Sequence, residues 1–340
     1  MTALDAAAVA AVDSGRQAAE ILDLGVHLRD ALWRVESAGL DGQQSAGLVI
    51  AGMGGSGVGA LLAQAAIGDR ATRPIVAVRD YTLPGWVDAH WTVLLSSYSG
   101  ATEETLSCWD AATAAGARRI VSSTGGVLVE RARAEKVPVI PLPGGFQPRA
   151  AVGYATVVAL EVAALAGVAP SLRDEVEAAA ALVESLSVAW GPEGPQDSSP
   201  KALALALEDA VPIVCGAGLT APVAYRWKCQ VNENANRPAF WSELPELDHN
   251  EIEGWAASGP FTAVFLEDPA GTHERVQRRF DLTAEIIGGA HRITAQGETR
   301  LERLMSLVHL GDLVSLYLAV LGGADPIAIP AIYRLKSELG

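Results

Sequence analysis

The sequence predicts an α/β protein of two tandem domains, each a mostly parallel sheet flanked by helices on both faces. Three observations point there. Short continuous apolar runs recur at Leu48-Val-Ile-Ala51, Ile75-Val-Ala-Val78, Val93-Leu-Leu95, Arg119-Ile-Val121 and Val137-Pro-Val-Ile140, each separated by enough chain for a helix or crossover. Strands that are apolar at every position are buried on both faces, as parallel strands are. The 340-residue length leaves room for two such units. A strand, a glycine turn and a helix pattern also occur twice, at Val49-Ile50-Ala51 before Gly52-Met-Gly-Gly-Ser-Gly57 and at Val211-Pro-Ile-Val-Cys215 before Gly216-Ala-Gly-Leu-Thr220.

In chain order, residues 5–40 place small apolar and charged residues at helical spacing, which predicts one or two amphipathic helices before the first strand. After the five strands, Ala150 to Val168 and Ser171 to Trp190 read as helices. The break at Val168-Ala169-Pro170 sets the expected domains at 1–168 and 169–340. The Pro-rich segment Gly191 to Pro200 is expected to be a solvated surface loop. The second unit then follows: a strand at 211–215, a helix from Ala221 to Asn236, strands at Phe261–Leu266 and His291–Ala295, and helices at Glu274–Ile287 and Leu301–Leu321.

Half of the chain is hydrophobic and the formal net charge is −15. That charge argues against nucleic acid and anionic membrane surfaces as partners. The aliphatic run Leu313 to Leu321 is too short to span a bilayer, and Met1-Thr-Ala-Leu-Asp5 lacks the features of a signal peptide, so a cytoplasmic protein is expected. Cys108, Cys215 and Cys229 are few and widely spaced and read as reduced packing residues. No His, Cys or Asp cluster has metal-ligand spacing, and no cofactor or metal is expected.

Two loops carry the chemistry. Ser96-Ser-Tyr-Ser-Gly-Ala-Thr-Glu-Glu-Thr105 follows a strand and opens a helix, crowding the hydroxyls of Ser97, Ser99 and Thr102 where helix N–H groups lack partners. This is the outline of a phosphate cradle, although a Ser or Thr cap with acidic residues in the first turn would serve any helix. Gly52 to Gly57 satisfies G-x-G-x-x-G, with Gly55 and Ser56 inside the turn. A dinucleotide site would need an acidic residue about 20 positions on, and Asp80 is too late. A glycine turn that admits a phosphorylated ligand fits both loops.

Together these loops resemble the signature of sugar isomerase (SIS) domains. Gly144-Gly-Phe-Gln-Pro-Arg-Ala-Ala151, Gln230-Val-Asn-Glu-Asn-Ala-Asn236, Pro238-Ala-Phe-Trp241, Glu243-Leu-Pro-Glu246 and Asp248-His-Asn-Glu-Ile-Glu-Gly-Trp255 resemble the bifunctional phosphoglucose/phosphomannose isomerase family. The resemblance covers most of the chain and implies two tandem SIS domains. It also implies interconversion of glucose 6-phosphate or mannose 6-phosphate with fructose 6-phosphate through a cis-enediolate.

The resemblance carries the family's catalytic glutamate onto Glu233, and a carboxylate base between C1 and C2 is what the reaction needs. It gives ring opening to His249, whose neighbours Asp248, Asn250, Glu251 and Glu253 offer partners to fix its tautomer. Arg149 is expected to stabilise enediolate charge, and Lys336, in the last predicted helix, to approach the sugar. His27, His90, His273, His291 and His309 are expected to be packing or surface residues. A homodimer whose sites each draw on both chains is also implied. Two positions depart from the family pattern: Ile327 after Asp325-Pro326, where relatives often have threonine, and Asn236-Arg237, where they often have lysine. These departures motivate a competing reading, a phosphosugar-binding regulatory protein without turnover.

Overall fold

The computed structural model describes residues 3–257 and 259–339. In chain order, α1 (Ala6–Val12), α2 (Gln17–Leu22) and α3 (Leu24–Ser37) lead into β1 (Leu48–Ala51), α4 (Gly54–Ile67) and β2 (Ile75–Val78). Then come β3 (Thr92–Ser96), α5 (Glu103–Ala114), β4 (Arg118–Ser123), α6 (Gly126–Ala134), β5 (Val139–Pro141), α7 (Val152–Leu165) and α8 (Arg173–Trp190). The remainder is α9 (Ser199–Ala206), β6 (Val211–Gly216), α10 (Ala221–Asn234), β7 (Phe240–Glu243), β8 (Phe261–Glu267), α11 (Glu274–Ile286), β9 (His291–Thr294), α12 (Arg300–Gly322) and α13 (Pro330–Leu339).

The chain divides into two compact units. One, the middle unit, runs from Leu24 to Ala181; the other, the split unit, joins the residues up to Asp23 with those from Leu182 onward. The middle unit holds a parallel sheet in the order β2-β1-β3-β4-β5. Its central strands β1 and β3 are buried at every position, and Val49, Val93, Leu95, Val121, Trp109 and Leu128 meet in one of its cores. The split unit holds a parallel sheet in the order β7-β6-β8-β9. There β6 lies between β7 and β8 as β1 lies between β2 and β3, so the strand order repeats and the double α/β architecture expected from the pattern is present.

The division differs from the expected linear boundary at residue 168. The cause is α12, whose residues from Leu301 to Val320 are nearly all buried. By length and composition α12 could cross a membrane, yet 94% of its apolar window is buried inside the fold. Helices α1 and α2 lie against it. Leu4 N–H donates to Gln196 Oε1 at 3.0 Å and Ser14 Oγ to Asp325 Oδ2 at 2.6 Å, fastening the amino-terminal segment to that unit.

Three local expectations are corrected. The segment 191–200 is not a wholly solvated loop: Gly191, Pro192 and Pro200 are buried, and the buried Lys201 ammonium donates to the carbonyls of Pro192 and Gly194 at 3.0 and 2.8 Å. Strand β7 was hidden because its Phe-Trp-Ser-Glu sequence is an exposed sheet edge without an apolar run. Helix α10 ends at Asn234, two residues earlier than expected, and Asn236 takes a left-handed conformation (φ 52°), which asparagine tolerates better than most side chains.

Candidate functional site

In the middle unit, chain order reverses at β1, whose neighbours are β2 and β3, and Ala51 pairs with Leu95 in the last register step. In parallel sheets a ligand crevice opens at such a reversal, beyond the carboxyl ends of the strands. The Gly52 and Ser97 loops leave those two ends. A Cβ on Gly52 would lie 2.7 Å from the Ser96 carbonyl oxygen, so glycine is what lets the loops approach.

The 97–102 loop is tightly ordered by its own groups. The hydroxyls of Ser97 and Thr102 hydrogen-bond to each other at 2.8 Å, and Ser97 Oγ accepts the Gly100 N–H at 3.1 Å. Ser99 Oγ accepts the Ala101 N–H at 3.3 Å and is exposed. Gly100 has φ 66°, and a Cβ there would overlap the Gly125 carbonyl oxygen, so only glycine fits. Thr102 stands at the N-cap of α5 but its side chain makes no capping bond. The first turn of this 12-residue helix thus receives no side-chain cap from Thr102, and first-turn N–H groups have no partner within their own helix.

Arg149 joins this edge. Its side chain is buried, 3% exposed, and a Cβ on Gly55 would lie 2.5 Å from the Pro148 carbonyl oxygen and 3.3 Å from the Arg149 Cα. Gly55 thus lets the arginine segment settle on the start of α4, where Ser56 is also buried. Tyr98 fixes that segment from the other side: its hydroxyl donates to the Pro143 carbonyl at 3.1 Å and accepts the Phe146 N–H at 2.9 Å. Phe146 in turn packs at 4.9 Å on the ring of His27 and at 5.9 Å on that of Tyr154. Tyr98, Phe146 and His27 were not singled out by the sequence as supports of Arg149. They stand far apart in the chain, and only the fold brings them together.

In the split unit, Glu233 lies in the last turn of α10, half-buried. Its neighbours are held: Asn232 Nδ2 donates to the Arg237 carbonyl at 2.8 Å and Asn234 Nδ2 to Ser315 Oγ at 2.9 Å. His249 is exposed on a 3₁₀ turn after β7. Three of the four partners expected for it are engaged elsewhere. Asp248 accepts from Arg279 Nη1 at 2.8 Å and Thr283 Oγ1 at 2.7 Å, Asn250 donates to Glu246, and Glu251 accepts from Ser242. Lys336 is exposed on α13, a helix with no buried residue.

Topology separates Glu233 from His249 within one chain. Helix α10 starts at the carboxyl end of β6 and runs back, so Glu233 lies toward the amino ends of the strands; β7 then carries the chain forward to His249. The two departures from the family pattern have structural work. Ile327 packs on Gly15, where a Cβ would overlap it, and Arg237 Nη2 donates to the carbonyls of Leu207 and Ala210 at 3.2 and 3.0 Å.

Two parallel sheets with one repeated strand order, and a hydroxyl-rich loop over the chain reversal of one of them, define a protein of the sugar isomerase (SIS) class. Residues 196–339 match the model of the bacterial phospho-glucose isomerase C-terminal SIS domain. The chain is 39% identical to the bifunctional phosphoglucose/phosphomannose isomerase of Caldicellulosiruptor bescii over 302 residues, covering 86% of this chain and 89% of that one. It is 37% identical to the protein of the same name from Aquifex aeolicus, over 86% and 90% of the two chains. A crystal structure of a glucose-6-phosphate isomerase like protein from Thermus thermophilus superposes with a TM-score of 0.64 at 21% identity, covering 99% of each chain. The chain belongs to the bifunctional phosphoglucose/phosphomannose isomerase family.

Proposed function

We propose that this protein interconverts fructose 6-phosphate with glucose 6-phosphate, mannose 6-phosphate or both, by proton transfer through a cis-enediolate and without a metal. The observation that carries the reading is the uncapped start of α5 beneath the Ser97–Thr102 hydroxyls, with Arg149 buried beside the neighbouring glycine loop. A hexose 6-phosphate presents a dianion to such a loop and leaves C1 and C2 for the chemistry. In this reading Ser97, Ser99 and Thr102 hold the phosphate, with Gly55 and Ser56 giving it room. Glu233 takes the proton from one carbon and returns it to the other. The Arg149 guanidinium supplies the positive charge that the enediolate oxygen requires, the part a metal would otherwise play. His249 exchanges the proton of the ring oxygen, and Lys336 contacts the sugar.

The opposed placement of Glu233 and His249 favours a homodimer in which each site takes its glutamate from one chain and its histidine from the second. An exposed imidazole without a hydrogen bond among the described residues suits a group that completes a neighbour's site. Epimers at C2 share one enediolate, so a single base serves both products.

The test is a coupled assay from fructose 6-phosphate that reads glucose 6-phosphate and mannose 6-phosphate separately, with EDTA present. Conversion to at least one product, unchanged by the chelator, is expected. Binding of the sugar phosphate with neither product formed, with or without added metal, would give the regulatory reading precedence.

A further inference from the structure

A cationic cavity lies in the middle unit, at the end of the sheet opposite the Gly52 and Ser97 loops. It has a volume of about 310 Å³ and is lined by Arg73, Arg118, His90, Trp91, Gln43 and Ser45, among others. These residues come from the segments that enter β2, β1, β3 and β4, so they gather at the amino ends of four adjacent strands.

Its charges are unusual for this chain. The protein carries a net −15, and most of the arginines that bridge its elements do so to carboxylates, such as Arg70 to Glu175 and Arg303 to Asp268. Among the described residues, neither Arg73 nor Arg118 has a carboxylate within ion-pairing distance. Both are held instead by backbone carbonyls: Arg73 Nη1 by that of Ser45, and Arg118 Nη2 by that of Asp41 at 2.6 Å. The Arg118 Nη1 is buried and has no hydrogen-bond partner among the described residues, so it has a donor to offer a ligand in the cavity. Burial pushes the Arg118 pKa down, and Asp41 offsets part of that. The nearby Asp88 carboxylate is turned to the His90 N–H at 2.9 Å. Trp91 adds a ring, packed at 4.5 Å against Trp86.

Two guanidinium groups fixed by carbonyls, with no carboxylate at ion-pairing distance among the described residues, form a preorganised anion receptor. We infer that this cavity binds a small oxyanion, either phosphate or the phosphate end of a small ester, at a site separate from the Ser97–Thr102 loop. The inference does not depend on the isomerase reading.

The test titrates inorganic phosphate, and in parallel glycerol 3-phosphate, into a chain carrying Ser97→Ala and Thr102→Val, so that the other loop does not contribute. Sodium chloride at matched ionic strength controls for screening. One saturable site per chain is expected with at least one of the two probes. Adding Arg118→Met, or Arg73→Gln at an exposed position that spares the fold, should weaken it roughly tenfold or more, as loss of a charge-assisted bond does. In the otherwise wild-type protein the same arginine substitutions should leave the KM for fructose 6-phosphate within about twofold. No saturable binding of either probe, or binding that neither arginine substitution weakens, would overturn the inference.

Discussion

The two sheets repeat one strand order but finish it with opposite chemistry. At the end of β3 stand Ser96 and Ser97; at the end of β8, its counterpart by strand order, stand Glu267 and Asp268, both buried. Arg292 and Arg303 neutralise those carboxylates at 2.5 and 2.8 Å. After β1 the Gly52 loop keeps close company with the Ser97 and Arg149 segments. After β6, Thr220 closes its own loop, accepting the Ala217 N–H at 2.9 Å and donating to the Leu266 carbonyl at 2.7 Å. One chain reversal gathers hydroxyls and a glycine turn, and the other closes its loop through Thr220 and lines its edge with acids. A repeated strand order is therefore finished with hydroxyls in one unit and with paired carboxylates in the other, and the proposed phosphate site falls in the first.

Substitutions in the two units should separate along that line. The largest effect is expected from Glu233→Gln, which keeps shape and removes the base: kcat should fall roughly 10²- to 10⁴-fold, the usual worth of a general base, with binding of fructose 6-phosphate little changed. A stopped assay on each product checks this, and full turnover would remove Glu233 from the chemistry. Arg149→Met should follow with a loss of about 10²- to 10³-fold in kcat, the scale for one oxyanion partner. A change confined to KM would make Arg149 a binding group only. Next come the loops themselves. Ser97→Ala with Thr102→Val should raise the KM for sugar phosphate roughly tenfold or more, because hydrogen bonds to a charged group are the strong ones. Thr220→Val, at the counterpart loop, should cost about 1–3 kcal/mol of stability for its stranded partners and leave KM alone. Thermal melts and initial rates on both variants decide whether the asymmetry is real.

All the strands but β7, and the turn from β3 into α5, were legible because their signals are local: short apolar runs, and a glycine and hydroxyls crowded at a helix start. Lys201 and the 191–200 segment were not, since a lysine buried by two carbonyls looks like any solvated lysine until the chain folds around it. The attachment of α1 and α2 to the far half of the chain was equally hidden. It follows from α12 needing apolar cover on every side, a demand that local periodicity does not assign to particular helices. At the site, residue types were readable from motifs, whereas the Tyr98 hydroxyl that ties two loops together depends on packing across 45 to 48 positions. Asp248, one of the partners expected for His249, was misplaced for the same reason: its oxygens are taken by Arg279 and Thr283.

The most direct measurement of the shared-site claim is complementation between two inactive variants. Glu233→Gln and His249→Ala chains, each assayed alone and then unfolded and refolded as an equal mixture, should recover activity only in the mixture. About a quarter of wild-type activity is predicted, because half of the randomly paired dimers carry one intact site of two. A mixture no more active than its two parents would contradict a site built from the glutamate of one chain and the histidine of another.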